Sequence, residues 1–201
     1  MTDCRIGDVR GQHGGYAQWA NLTFLTQSNS ELPSFFLKLM DNKMGLVQCE
    51  FRLNGQAMSK LIVRLSHRTI EVPAFSGTQP LSNQAKHMCV PDVGAIPKGS
   101  YYILDRQVGG RLGWLYEQFS NKSEWFSLYA IDSKIDDQTF CDGTLRGQFR
   151  LHPAVGQGIS RGCITLPSSQ QYESIKSELK ASGTYSVPGF DIPVYGIVSV
   201  K

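Results

Sequence analysis

The sequence predicts a strand-dominated domain with one helix near its C-terminal end. From Val47 onward, apolar and polar residues alternate in short runs, the period of half-buried strands. Glycines, prolines and an Asn54-Gly55 pair punctuate these runs as turn signals do. In that part of the chain helical spacing returns after residue 167, where Tyr172, Ile175 and Leu179 share one face.

Taken in order, residues 1–30 are polar, with Gly14-Gly15 and few periodic apolar positions. Leu32, Phe35, Phe36, Leu39 and Met40 then fall on one helical face, with Ser30 as N-cap, Pro33 in the first turn and Gly45 to end it. This short helix belongs to an N-terminal extension, residues 1–45, that packs on the main domain, residues 46–201. Strands are predicted over Val47–Leu53, Leu61–Leu65 and Thr69–Phe75, the last closed by Ser76-Gly77. Gly94–Ile103 reads as a turn feeding a strand. Gly109–Tyr116, glycine-rich and aromatic, suits a loop or hairpin over a site. Trp125–Ile131 and Gln148–His152 are further strands. Ser168 or Ser169 caps the helix, Gly183 lies just past its end where a left-handed residue is favoured, and Val194–Val200 closes the domain.

Composition excludes several classes. The 201 residues suit one domain with an elaborated core, and the net charge of +3 comes from scattered Lys and Arg rather than a basic stripe, so no nucleic-acid partner is expected. No apolar run approaches the roughly 18 residues of a membrane span, and no stable membrane insertion is expected. Met1–Asp8 lacks a basic region followed by an apolar core, so no Sec signal peptide is expected. Cys4, Cys49, Cys89, Cys141 and Cys163 fit neither a zinc ribbon nor a CxxC site. With Cys163 a free nucleophile, the other four are either reduced, partly buried thiols, the favoured reading for a chain lacking a signal peptide, or pair in a chain that oxidises outside the cytoplasm. His87-Met88-Cys89 lacks the partners that would make it a metal site, so neither a metal nor another cofactor is expected.

The chemistry concentrates late in the chain. His152 ends a strand-like run, and Cys163 follows eleven residues later, inside Ser160-Arg161-Gly162-Cys163-Ile164. A thiol becomes a nucleophile near neutral pH when a base takes its proton, and imidazole is the usual base. Gly162 lets the backbone approach a reacting carbonyl, so the Gly162 and Cys163 amides are candidate oxyanion donors.

With its upstream pieces, this pattern resembles the YkuD-type L,D-transpeptidases. His152 followed by Ser160-x-Gly162-Cys163-Ile164 matches the end of a short-looped branch, and Phe75-Ser76-Gly77 with Val93–Ile103 matches its upstream stretch, over roughly residues 47–182. That branch includes L,D-transpeptidase effectors of type VI secretion systems. Two positions depart from the YkuD pattern: Arg161 stands where those enzymes have histidine, and Thr165 where many have arginine. The resemblance implies a β-sandwich or barrel with one helix after the cysteine. It implies thioester catalysis on peptidoglycan tetrapeptide stems, giving carboxypeptidase action, D-amino-acid exchange or cross-linking. His152 would take the proton of Cys163 or share a thiolate–imidazolium pair with it, with a backbone carbonyl or the Ser160 hydroxyl orienting the ring. Arg161 and Arg150 are candidates for the substrate carboxylate, and Trp114 for a substrate contact.

A wall substrate and no export signal together imply injection into a neighbour's periplasm. The partners expected are a secretion-apparatus component and a cognate immunity protein. Two alternatives stand beside this reading. One is a papain- or NlpC-like amidase with Cys89 as nucleophile, disfavoured by the following Val90-Pro91. The other is a non-catalytic wall-binding protein on a decayed transpeptidase scaffold.

Overall fold

In the computed structural model, which describes residues 46–106, 124–154 and 160–201, the alternating runs become strands. They are β1 (Val47–Phe51), β2 (Ser59–Arg64), β3 (Thr69–Ala74), β4 (Gly99–Asp105), β5 (Phe126–Ala130), β6 (Gln138–Cys141), β7 (Thr144–Gly147), β8 (Arg150–Pro153), β9 (Ile164–Leu166), β10 (Tyr185–Val187) and β11 (Phe190–Val200). Helix α1 (Ser169–Ala181) lies between β9 and β10. The helix expected around Leu32–Met40 and the glycine-rich segment Gly109–Tyr116 lie outside the described residues.

Neighbouring strands follow the order β3-β2-β1-β11-β4-β5-β8-β9, with β10 alongside β11. Just past β3, Phe75 and Thr165 of β9 exchange both backbone hydrogen bonds, at 2.9 and 2.8 Å, which joins the two ends of the sheet. The result is a closed, mixed barrel, in which the eight-strand path has no free end. The pairs β1–β11 and β8–β9 are parallel, whereas the other neighbours along the wall are antiparallel.

Alternation sorts the side chains. Cys49, Phe51, Leu61, Val63, Val72, Ile103, Phe126, Leu128, Leu151, Ile164 and Val198 point inward and form one core. Tyr102, Leu104, Tyr129, Val194 and Ile197 point outward, and β10 covers them as a second, smaller cluster. Helix α1 sends Tyr172, Ile175 and Leu179 into the main core. Its N-cap is Ser168, whose hydroxyl accepts from the Gln171 amide at 3.3 Å, and Gly183 follows the C-cap at φ +77°.

Two features depart from expectation. The hairpin β6–β7 interrupts the chain between β5 and β8, its turn made by Asp142 and Gly143 at φ +47° and +75°. Two successive positive φ values are the mark of a type I′ hairpin turn, which Asp-Gly favours. In addition, Cys89 and Cys141 are joined in a disulfide across 52 residues, with Cα atoms 5.1 Å apart, which decides for pairing at these two positions over the favoured reduced state. Spacing alone does not reveal this pair, because the fold brings the ends of a long loop together. Cys49 remains a buried thiol, and its burial pushes its pKa up to about 12.

On the outer wall of β1, Glu50 is buried beneath three cations. It accepts from Lys201 at 2.9 Å and Arg52 at 2.7 Å, with Arg64 at 3.5 Å. The Lys201 bond, then the Arg52 bond, lowers its pKa to about 2, against about 4.3 for a free Glu. A depressed carboxylate stabilises the fold above its unfolded pKa and loses that contribution as pH falls toward the folded one. Arg52 and Lys201 are 67% and 55% exposed, so screening limits the effect to about 1 kcal/mol. Melting curves of the wild type and Glu50→Gln are therefore expected to differ at neutral pH and to converge as the pH is lowered from about 4.3 toward 2.

Candidate active site

The site is built on the parallel pair β8–β9. Leu151 pairs with Ile164 and His152 with Thr165. Because Leu151, Ile164 and Leu166 face the core, the alternate residues Arg150, His152, Cys163 and Thr165 share the outer face. Continuing the register one step back sets Arg150 beside Cys163. At about 3.3 Å per residue and 4.8 Å between strands, the Cα atoms of His152 and Cys163 are then roughly 8 Å apart on the diagonal.

His152 is 5% exposed and held on three sides. Its Nδ1 lies 2.7 Å from the Pro153 carbonyl, which can only accept, so Nδ1 carries the ring hydrogen. Nε2 is left with its lone pair, and the buried Thr165 hydroxyl donates to it at 3.2 Å. The Trp125 ring stacks on the imidazole, centroids 4.1 Å apart and planes within 16°. Its place follows from the β5–β8 register, in which Phe126 opposes Leu151 and the preceding residue comes next to His152.

The cysteine turn is templated by the segment after β3. The Thr78 hydroxyl donates to the Ser160 carbonyl at 2.9 Å, and the Gly77 amide donates to the Ser160 hydroxyl at 3.3 Å. Ser160 in turn donates to the Cys163 carbonyl at 2.7 Å, and Ser76 donates to the Gly162 carbonyl at 3.2 Å. Of the two groups expected to orient the imidazole, the structure thus sets a backbone carbonyl on Nδ1, whereas the Ser160 hydroxyl is spent on the cysteine turn. Gly162 adopts φ +99°, a region that favours glycine. A Cβ there would also stand 2.7 Å from Nη2 of Arg146 and 3.0 Å from the Phe149 ring.

Cys163 is a free, half-buried thiol whose Sγ lies 3.8 Å from the Gln148 carbonyl. Burial raises its pKa. The Arg150 amide and then its guanidinium pull it down, and Asp137 pushes it up again, with a net rise. Arg150 is held bidentately by Asp137, at 2.6 Å for each arm, so its fork is already filled by a carboxylate. Arg161 is exposed to solvent. Trp114 lies outside the described residues.

Cys89 lies outside this cluster. Its sulfur is bonded to Cys141, so it has no thiolate to offer, which overturns the reading with Cys89 as nucleophile. Residues that sequence reasoning did not assign to the site are Thr165, Trp125, Asp137, Ser76 and Arg146. For Ser76 the signal was present in the Phe75-Ser76-Gly77 motif. The others depend on cross-strand register.

A closed β-barrel bearing a free cysteine and an oriented histidine on adjacent parallel strands defines a mainly β protein with a candidate thiol–imidazole site. A family model described as the Tlde1 domain matches residues 70–190, more than half of the chain. The chain belongs to this family of type VI secretion effectors, which is L,D-transpeptidase-like, and membership implies secretion. No curated protein and no solved structure matches it. Among the described residues no helix is long and apolar enough to cross a membrane.

Proposed function

We propose that this effector acts on peptidoglycan tetrapeptide stems in the periplasm of a target bacterium by thioester catalysis at Cys163. The observation that carries this reading is the fixed tautomer of His152: with Nδ1 bound to the Pro153 carbonyl, Nε2 is a base on the face shared with the thiol. Burial raises the thiol, so the base at Nε2 has to take its proton for the sulfur to attack. The Thr165 hydroxyl rotates off Nε2 as this happens. Sulfur attacks the carbonyl at the L-centre of the stem's diamino acid, and the oxyanion faces the Gly162 and Cys163 amides, each donor being worth about 3 kcal/mol. Collapse breaks the amide bond, and the imidazolium protonates the departing D-alanine amine. Water then releases a tripeptide, which is carboxypeptidase action, or a free D-amino acid gives exchange.

With Arg150 engaged by Asp137, the exposed Arg161 is the better candidate for the substrate carboxylate. A cognate immunity protein and a secretion-apparatus component are the protein partners that fit an antibacterial effector.

Mass spectrometry of the full chain with tetrapeptide muropeptides, and separately with a carbapenem as acyl donor, tests the proposal. D-alanine release or exchange, and a single adduct on Cys163, are expected. Stem binding without turnover or adduct would instead mean a wall-binding protein on a decayed scaffold. Expression with and without an added signal peptide checks the compartment, because equal toxicity in both would contradict a wall target.

A further inference from the structure

The Gly162–Cys163 peptide presents a problem that the fold has to solve. Position 162 needs glycine, since φ is +99° and the Arg146 guanidinium fills the place of a side chain. Glycine also removes the steric barrier that would keep the peptide plane from turning over. Flipped, the plane would aim the Gly162 carbonyl where the Cys163 N–H should be, and an oxyanion would meet an oxygen lone pair instead of a donor.

We infer that Ser76 is a positioning residue for the thioester chemistry: its hydroxyl holds the Gly162 carbonyl and thereby aims the Cys163 N–H in the opposite direction. The peptide is planar and trans, so the two groups of one plane point oppositely. The Ser76 hydroxyl is itself directional. It accepts from the Ile96 amide at 2.8 Å, which leaves its hydrogen for Gly162, 3.2 Å away. The residue is fully buried, and its own amide donates to the Asn83 side chain at 2.8 Å. Beside Gly162, Arg146 is 4% exposed and donates to the carbonyls of Met88, Gly94 and Ala95. Among the described residues it forms no ion pair, and its Nη2 would stand 2.7 Å from a Cβ at position 162. Serine thus holds the peptide by a hydrogen bond and arginine excludes a side chain at Gly162, from two elements remote in sequence.

The inference rests on Cys163 forming a thioester, and its test separates the two claims. Acylation by a carbapenem needs the oxyanion: sulfur bonds to the lactam carbonyl, the ring C–N bond breaks, and the nitrogen takes the proton from His152. Alkylation by iodoacetamide displaces iodide at a saturated carbon and forms no oxyanion. In Ser76→Ala, Cys163 acylation is expected to fall about a hundredfold while Cys163 alkylation stays near the wild-type rate. On stem peptides kcat falls and KM is unchanged. Parallel loss of both reactions in folded protein, or loss of neither, overturns the role of Ser76. If Ser76→Ala melts below the assay temperature, Ser76→Thr decides, because it keeps the hydroxyl. Near-wild-type acylation by that variant supports the role, and acylation lost while alkylation persists overturns it. A wild-type protein that alkylates at Cys163 but neither acylates nor turns over stems would defeat the thioester reading itself.

Discussion

Replacing Cys163 with alanine is expected to abolish turnover of tetrapeptide stems, and His152→Ala to lower kcat/KM by about a thousandfold or more. The reason is that in the proposed mechanism both side chains serve one proton transfer. His152 has a single oriented lone pair, fixed by the 2.7 Å contact of Nδ1 with Pro153, and the thiol is raised by its burial. Without the base, little thiolate forms near neutral pH. Without sulfur, the base has no nucleophile to activate. Groups that act as a unit are non-additive, so the double variant is expected to be no slower than Cys163→Ala alone. Steady-state kinetics on purified muropeptides, with melting curves to confirm folding, make the comparison. Turnover that survived loss of Cys163 would remove the assignment.

Breaking the Cys89–Cys141 disulfide is expected to produce the largest loss of stability. It closes a loop of 52 residues, for which the chain-entropy account gives about 4 kcal/mol, or a fall in Tm of roughly 10 °C. The consequence reaches the site. The bridge fastens the loop around Cys89 to the β6–β7 hairpin, and Arg146 of β7 donates to three carbonyls of residues 88–95 while lying against Gly162. Melting curves with and without reductant, and of Cys89→Ser/Cys141→Ser, measure the stability. A melting curve insensitive to reductant in the oxidised protein would contradict the expectation. The Cys163 sulfur remains in the double variant, so below its melting temperature turnover is expected to be slowed rather than abolished.

The resemblance and the structure meet on particular residues. Period-two alternation located most of the barrel strands because each has one face on the core and one on the outer wall. Helix α1 was legible for a similar reason: Tyr172, Ile175 and Leu179 are three and four apart, with Ser168 and Gly183 at its ends. The β6–β7 hairpin escaped notice because its strands are short and largely exposed. Phe140 and Leu145, its apolar cross-strand pair, are 74% and 49% exposed, so burial leaves no pattern there. Asp142-Gly143 was the available signal.

Within the site, His152, Ser160, Gly162 and Cys163 could be named from spacing and resemblance, since they lie close together in the chain. Their partners could not. Thr165 reaches the imidazole through a parallel register, Trp125 through an antiparallel one, and Asp137 through a hairpin. Arg150 shows the limit most clearly. As a residue type it suits a substrate carboxylate, but in the folded chain that geometry is taken by Asp137.

The sequence by itself determined the class of fold, the helix after the cysteine and the identities of a candidate nucleophile and base. Those are local properties, written in periodicity, capping and short motifs. The tertiary structure alone decided the barrel's closure through Phe75 and Thr165, the pairing of Cys89 with Cys141, the tautomer of His152 and the clamp on Gly162. Apart from the His152 contact, which is with the next residue, each of these joins residues far apart in the chain, through hydrogen bonds or a covalent bond that exist only once strand order and register are set.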